Sequence, residues 1–518
     1  MSIRITGINS GMDTDSMVQE LVNAYSEQGE KYTKAKTKTE WKQEAWTTLN
    51  SKIKNFYTKY ASTMRFSDMY NKKSTTVSDS SKASVIAADG AVTGTQTLKV
   101  NQMAKAGYLT GGSLSSSVSS STKLSDILGS SISDDTKITL NIGDKDLTTL
   151  EDGTTEGGNF TKTLELSVNS DTTVSDFVKQ LNAIDGITAS YDETNHRFFI
   201  SSNESGATNN FSFSGNTGEA ADVLNSLGLT GDTATKISGQ DAEIILNGAT
   251  FTSSSNTFSI NGLTITAKGL TGDDELSLVT DTDVDTIYNN IKNFVTEYSS
   301  LINELDKLYN AESASDYEPL TDDEKEEMTD DEIEKWETKI KDSLLRRDSD
   351  IDTLASAMRS SMLKTYDVTT ASGETKTYSL SSFGIETLSY FDAAENEKNA
   401  FHLDGDEDDE YTSTNTDKLR AMIASDPSAV QGFFTQLIGG LYDGMNKISS
   451  SSNNYTSYGS FYSDKKLKSD LEDQEDKIED WEDYLADIED RYYSQFSAME
   501  TALGELNSQQ SYLSQLFS

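Results

Sequence analysis

The sequence predicts an α+β, multidomain chain. Long N- and C-terminal helices form a coiled-coil-like leg, both flanks supply a helix-rich domain, and β-rich middle domains are inserted between them. Three observations carry this expectation. Apolar residues recur with a seven-residue period at both ends, alternate with a period of two through the middle, and return to the helical period near residue 283. The expected segments are a leg helix over 1–45 paired with a second over 464–518, a helix-rich domain from 46–72 plus 278–463, a β-rich domain from 73–125 plus 235–277, and an outer β-rich, α+β domain over 126–234. A chain of 518 residues has room for roughly three or four such domains.

At the N-terminal end, alternate steps of four and three residues join Leu21, Tyr25, Gln28, Tyr32, Ala35, Thr39, Lys42, Trp46, Leu49, Ile53, Phe56 and Tyr60. Ahead of this stripe, Ser10-Gly11 breaks the chain and Asp13, Asp15 and Ser16 offer capping oxygens, Ser16 with Gln19 fitting a capping box. Gln28, Thr39 and Lys42 make a poor isolated seam, so the helix is expected either to break near Gly29 or to pack on something less regular than a twin helix.

In the middle, Ile138, Leu140 and Ile142 alternate with polar residues, as do Leu164, Leu166 and Val168. The amphipathic run TVSDFVKQLNAI follows, then Ile187, Ala189 and Tyr191, then 197–201, which reads as a β-α-β-β unit. Asn261-Gly262 between two alternating runs predicts a hairpin. From Asp283, helical spacing joins Val284, Ile287, Ile291, Phe294, Val295, Tyr298 and Leu301. Thr321 with Glu324 and Thr329 with Glu332 each form a capping box, the second opening a helix that carries Ile333, Trp336 and Ile340.

The C-terminal end carries the cleaner signal. One heptad row reads Leu471, Ile478, Leu485, Tyr492, Met499, Leu506 and Leu513 without a polar interruption. Its companion row runs Leu467, Gln474, Trp481 and Ile488, then shifts by one position to Phe496, Leu503, Gln510 and Phe517, so packing should change near Tyr492. The 55 residues from 464 to 518 would make a rod of about 80 Å. Its apolar side needs a partner, because each large apolar side chain left in water forfeits about 1.5–3 kcal/mol.

Composition removes several function classes. Against 86 Asp and Glu stand 43 Lys and Arg, a formal charge of −43, which opposes both nucleic acid and anionic lipid. Cysteine is absent, which excludes disulfides, thiolate catalysis and zinc–thiolate sites. The two histidines, His196 and His402, sit apart in strand-like settings with no nucleophile-elbow or metalloprotease pattern around them, so no catalytic residues and no cofactor are expected. The acidic run beginning at Asp404 fails as a calcium loop, because Asp409 stands where glycine is needed and Asn415 where a bidentate glutamate is needed. No run of 18 apolar residues predicts a membrane span, and the start lacks the features of a cleaved signal peptide.

The opening GINSGMDTDSMVQELVNAY, with Gly7, Ser10, Gly11, Met12 and Asp13 in a Gly-x-x-Ser-Gly-x-Asp pattern, resembles flagellar filament cap proteins of the hook-associated protein 2 family. The likeness continues through LKVNQMAKA, GQDAEIILNG, YEPLTDDEKEEM, IEKWETKIKDSLLRRD, LSSFGIET and DPSAVQGFF, and fades from about 111 to 161. The resemblance implies a non-enzymatic structural cap at the distal end of the filament, exported to the cell exterior without a cleaved signal peptide. It implies a homo-oligomeric ring, expected as a pentamer, that promotes insertion and polymerisation of exported flagellin. Its further expected partners are hook-filament junction proteins, an export chaperone and, through the β-rich domains, host or surface glycans. A surface adhesin and a hook-filament junction protein are the alternative readings. Subunit assembly is assigned to the helix seam: Leu21, Tyr25, Leu49, Ile53, Phe56, Leu471, Ile478, Trp481, Leu485, Ile488, Met499, Leu503, Leu506, Leu513 and Phe517.

Overall fold

The computed structural model describes residues 11–143, 147–149, 155–157, 162–389, 391–394 and 397–516. Gly7, Ser10 and Phe517, singled out in the sequence, lie outside them. The chain divides into two compact units, one from 1–70 with 284–518 and the other from 71–283.

The first unit is helical. Its N-terminal helix, Thr14–Phe56, runs without a break and widens into a π-helical turn at Tyr57–Ala61. Asp13, rather than Ser16, is its N-cap, the carboxylate accepting from the Ser16 amide. The body of the unit is built from the helices Val284–Tyr309, Ser349–Met362 and Pro427–Ser449. Their 3.6-residue apolar faces meet around Phe294, Tyr298, Phe433 and Phe434, all fully buried. Proline opens Pro427–Ser449 at the first helical position, where no amide hydrogen is needed, and Asp426 caps it. Both expected capping boxes form, Thr321 with Glu324 and Thr329 with Glu332. The C-terminal helix, Asp464–Leu516, spans 53 residues, about 80 Å.

The second unit holds two cores. One lies between a five-stranded antiparallel sheet, in the order Lys73–Val77, Leu276–Thr282, Gly94–Gln102, Ala242–Leu246 and Ala249–Ser253, and a three-stranded sheet of Thr257–Ile260, Leu263–Ala267 and Ala83–Ala87. Asn261 and Gly262 both take positive φ at the predicted hairpin tip. The other core gathers Leu140, Phe177, Phe198 and Val223 beneath the helices Val174–Asn182 and Glu219–Ser226.

Three parts of the sequence expectation differ. Residues 106–125 and 235–237, expected in the domain of 73–125 plus 235–277, belong with the outer core: Ala106–Thr110 pairs with Arg197–Ser205 and Thr235–Ile237, and Leu109, Val118 and Leu124 are buried there. Leu276–Thr282 pairs with Lys73–Val77 and Gly94–Gln102, so 278–282 belong to the β unit rather than to the helical domain. The expected β-α-β-β unit is divided: Lys162–Ser167 pairs with Lys137–Ile142 in one sheet, whereas Ile187–Asp192 and Arg197–Ser205 pair in another.

Candidate assembly surface

Within the helical unit the two terminal helices lie side by side and antiparallel. Lys36 Nζ stands 3.1 Å from a Glu475 carboxylate oxygen, the Tyr32 ring meets Trp481 edge-on at 6.3 Å, and the Tyr25 and Tyr492 hydroxyls lie 3.5 Å apart. The one-position shift in the companion row thus falls where two tyrosines meet across the pair.

Gly29 is a seat for the partner rather than a break. A Cβ there would come within 2.6 Å of the Trp481 ring, so only glycine lets the indole rest against the helix backbone.

Charge follows the same geometry. Residues 470–490 hold twelve acidic side chains and only Lys477 as a cation, while 31–42 of the facing helix carry five lysines against Glu40. The Glu475 carboxylate, hydrogen-bonded to Lys36, holds that ammonium above its ordinary range. Lys34 and Lys42 turn away from the seam, Lys34 to Glu324 and Lys42 to Asp348, both at 2.9 Å. The Thr321 amide and then Lys34 keep the Glu324 carboxyl below its usual range. The exposed Lys36–Glu475 pair is worth about 0–1 kcal/mol, so it aligns the helices more than it binds them, whereas the Asp348 side chain paired with Lys42 is buried.

The predicted seam residues divide into three groups. Tyr25, Leu471, Ile478, Trp481, Leu485, Met499 and Leu503 are half-buried along the pair and Ile488 is fully buried there. Leu49, Ile53 and Phe56, expected on the seam, lie instead in the core of the helical body, with Phe56 stacked on Phe294 at a 6.0 Å ring separation. By this point the N-terminal helix has left the leg and packs on Val284–Tyr309. Leu21, Leu506 and Leu513 are exposed, at 38%, 59% and 52%. Tyr512 and Leu516 are exposed beside the last two. The sequence reading missed Thr14 and Val18, both buried. Extending the four-and-three spacing back from Leu21 and Tyr25 reaches both.

The side chains of the pair are apolar, amide, hydroxyl, ammonium and carboxylate groups, an inventory suited to helix association, and among the described residues no cluster of three potential metal ligands occurs. The model of the flagellar hook-associated protein 2 C-terminus matches residues 239–508, and that of the N-terminus matches 10–107. The chain belongs to the flagellar hook-associated protein 2 family. It is a structural filament cap protein of the bacterial flagellum, a family that associates with the filament and oligomerises. The hook-associated protein 2 of Halalkalibacterium halodurans is 26% identical over 99% of this chain and 100% of its own length. The solved D1-D2-D3 domains of the flagellar cap protein from Escherichia coli share the fold with a TM-score of 0.53 and 19% identity, covering 83% of this chain and 99% of that one. Among the described residues, no helix of this hook-associated protein is long and apolar enough to cross a membrane.

Proposed function

We propose that the paired terminal helices are the leg by which each copy of this cap protein engages its neighbours in a ring, expected as a pentamer, and the flagellin beneath it. The observation that carries this reading is the row of apolar side chains left uncovered at the far end of the C-terminal helix, Leu506, Tyr512, Leu513 and Leu516, continuous with the paired seam. An exposed apolar stripe of this extent is unfavourable in an isolated soluble chain and marks an interaction surface. The same stripe suits an export chaperone before assembly and a junction protein at the base of a new filament. The interrupted upstream seam keeps each contact weak enough to be remade as a subunit is added. The proposed division of labour is 1–45, 46–70 plus 284–463, 71–105 plus 238–283, 106–237 and 464–518, with assembly in the first and last.

Removing residues 467–518 tests the reading. The expected outcome is a β unit that still folds, loss of oligomers measured by native mass spectrometry, and unpolymerised flagellin in the medium. Normal filament growth with the truncated chain overturns it.

A further inference from the structure

Several contacts fix the leg to the helical body, and one turn reaches both terminal helices at once. Arg347 adopts φ +54°, a left-handed conformation that is costly for a residue with a long side chain. Its amide donates to the Tyr309 carbonyl at 3.0 Å, and its guanidinium lies over the Tyr309 ring at 4.9 Å. Strain of this kind persists only where the surroundings over-determine it.

What the strained residue delivers is a pair of carboxylates at the start of Ser349–Met362. Asp348 caps that helix through Oδ1, which accepts from the Asp350 amide at 3.0 Å. Its Oδ2 faces the N-terminal helix, accepting from Trp46 Nε1 at 3.3 Å and pairing with Lys42 Nζ at 2.9 Å. Asp350 Oδ2 accepts at 2.8 Å from the amide of Ser463, the residue immediately before the C-terminal helix. Trp46 closes the arrangement by stacking on Tyr462 at 4.9 Å with the rings nearly parallel.

We propose that Asp348 and Asp350 form a positioning clamp, fixing the direction in which both terminal helices leave the helical body. An N-cap alone needs one oxygen, which serine supplies as well as aspartate. In Asp348 the second oxygen serves the leg. The inference rests on the leg reading only for its use in the cap, since the test is made on purified protein without flagellin.

The experiment is amide hydrogen exchange on the full chain. D348S with D350A keeps a capping hydroxyl but removes both ties to the leg. Exchange over 14–45 and 464–500 is expected to rise about tenfold, the effect of losing hydrogen bonds of ordinary strength, while 349–362 stays within about twofold of the parent. K42M with W46F cuts the same tie from the leg side with the cap untouched, and is expected to raise exchange over 14–45 in the same selective way. A rise of equal size in 349–362 would reduce Asp348 to a helix cap, and unchanged exchange in the leg would sink the clamp. Failure of the capping reading would show instead as normal filament growth from the leg truncation, whatever the exchange result.

Discussion

Gly29 shows how much one missing side chain can decide. A helix interior ordinarily gains about 1 kcal/mol from replacing glycine with alanine. Here the added methyl would meet the Trp481 ring at 2.6 Å, and overpacking of that kind costs about 1–3 kcal/mol. G29A is therefore expected to weaken the leg, read as faster amide exchange over 14–45 with the body unchanged. Combined with W481A, its cost should largely vanish, because the two changes remove one contact. A leg strengthened by G29A would refute the seat. In the sequence alone this glycine reads as a breaker, since propensity is a local property and the need for close approach depends on a partner some 450 positions away.

Each terminal helix serves two settings along its length. The N-terminal one carries a single uninterrupted spacing, yet Tyr25 meets the other leg helix while Leu49 sits in the core of the body at 2% exposure. An apolar face looks the same in sequence whether a twin helix or a folded domain covers it. For that reason the existence of both helices was legible, and so was much of the seam, whereas the point where the N-terminal helix enters the body was not. The β region shows the same limit: alternation identified Lys162–Ser167 and Ile187–Asp192 as strands but not that they join different sheets, because strand pairing is non-local. A direct comparison separates the two settings. L49A should cost the helical unit about 2–5 kcal/mol in denaturant unfolding. L506A, at an exposed position, should stay within about 0.5 kcal/mol while lowering the fraction of oligomer. Equal stability losses, or oligomers unaffected by L506A, would contradict the division.

At the scale of the molecule, a formal charge of −43 sets copies against one another. Screening shortens that repulsion, with a Debye length near 30 Å at about 0.01 M salt and 8 Å at about 0.15 M. Assembly into a ring should therefore strengthen as sodium chloride rises from about 0.01 to 0.15 M, measured by light scattering or sedimentation. Oligomers that dissociate over that interval would mean that attraction between unlike charges, of the kind seen at Lys36 and Glu475, dominates between copies. The excess acid could be read directly from composition, but its concentration along 470–490, opposite the lysines of 31–42, acquires meaning only once the two helices are known to run antiparallel.

The contact between Tyr25 and Tyr492 joins positions 467 apart in the chain. Whichever end leaves the ribosome or an export channel first, the helix formed there must wait for the other before the leg can close. The β unit lies wholly between them in sequence, and closing so long a loop adds an entropic barrier to a seam whose ion pairs are exposed. Leg closure therefore requires both ends of the chain to be present, and a copy with one end missing lacks the paired seam.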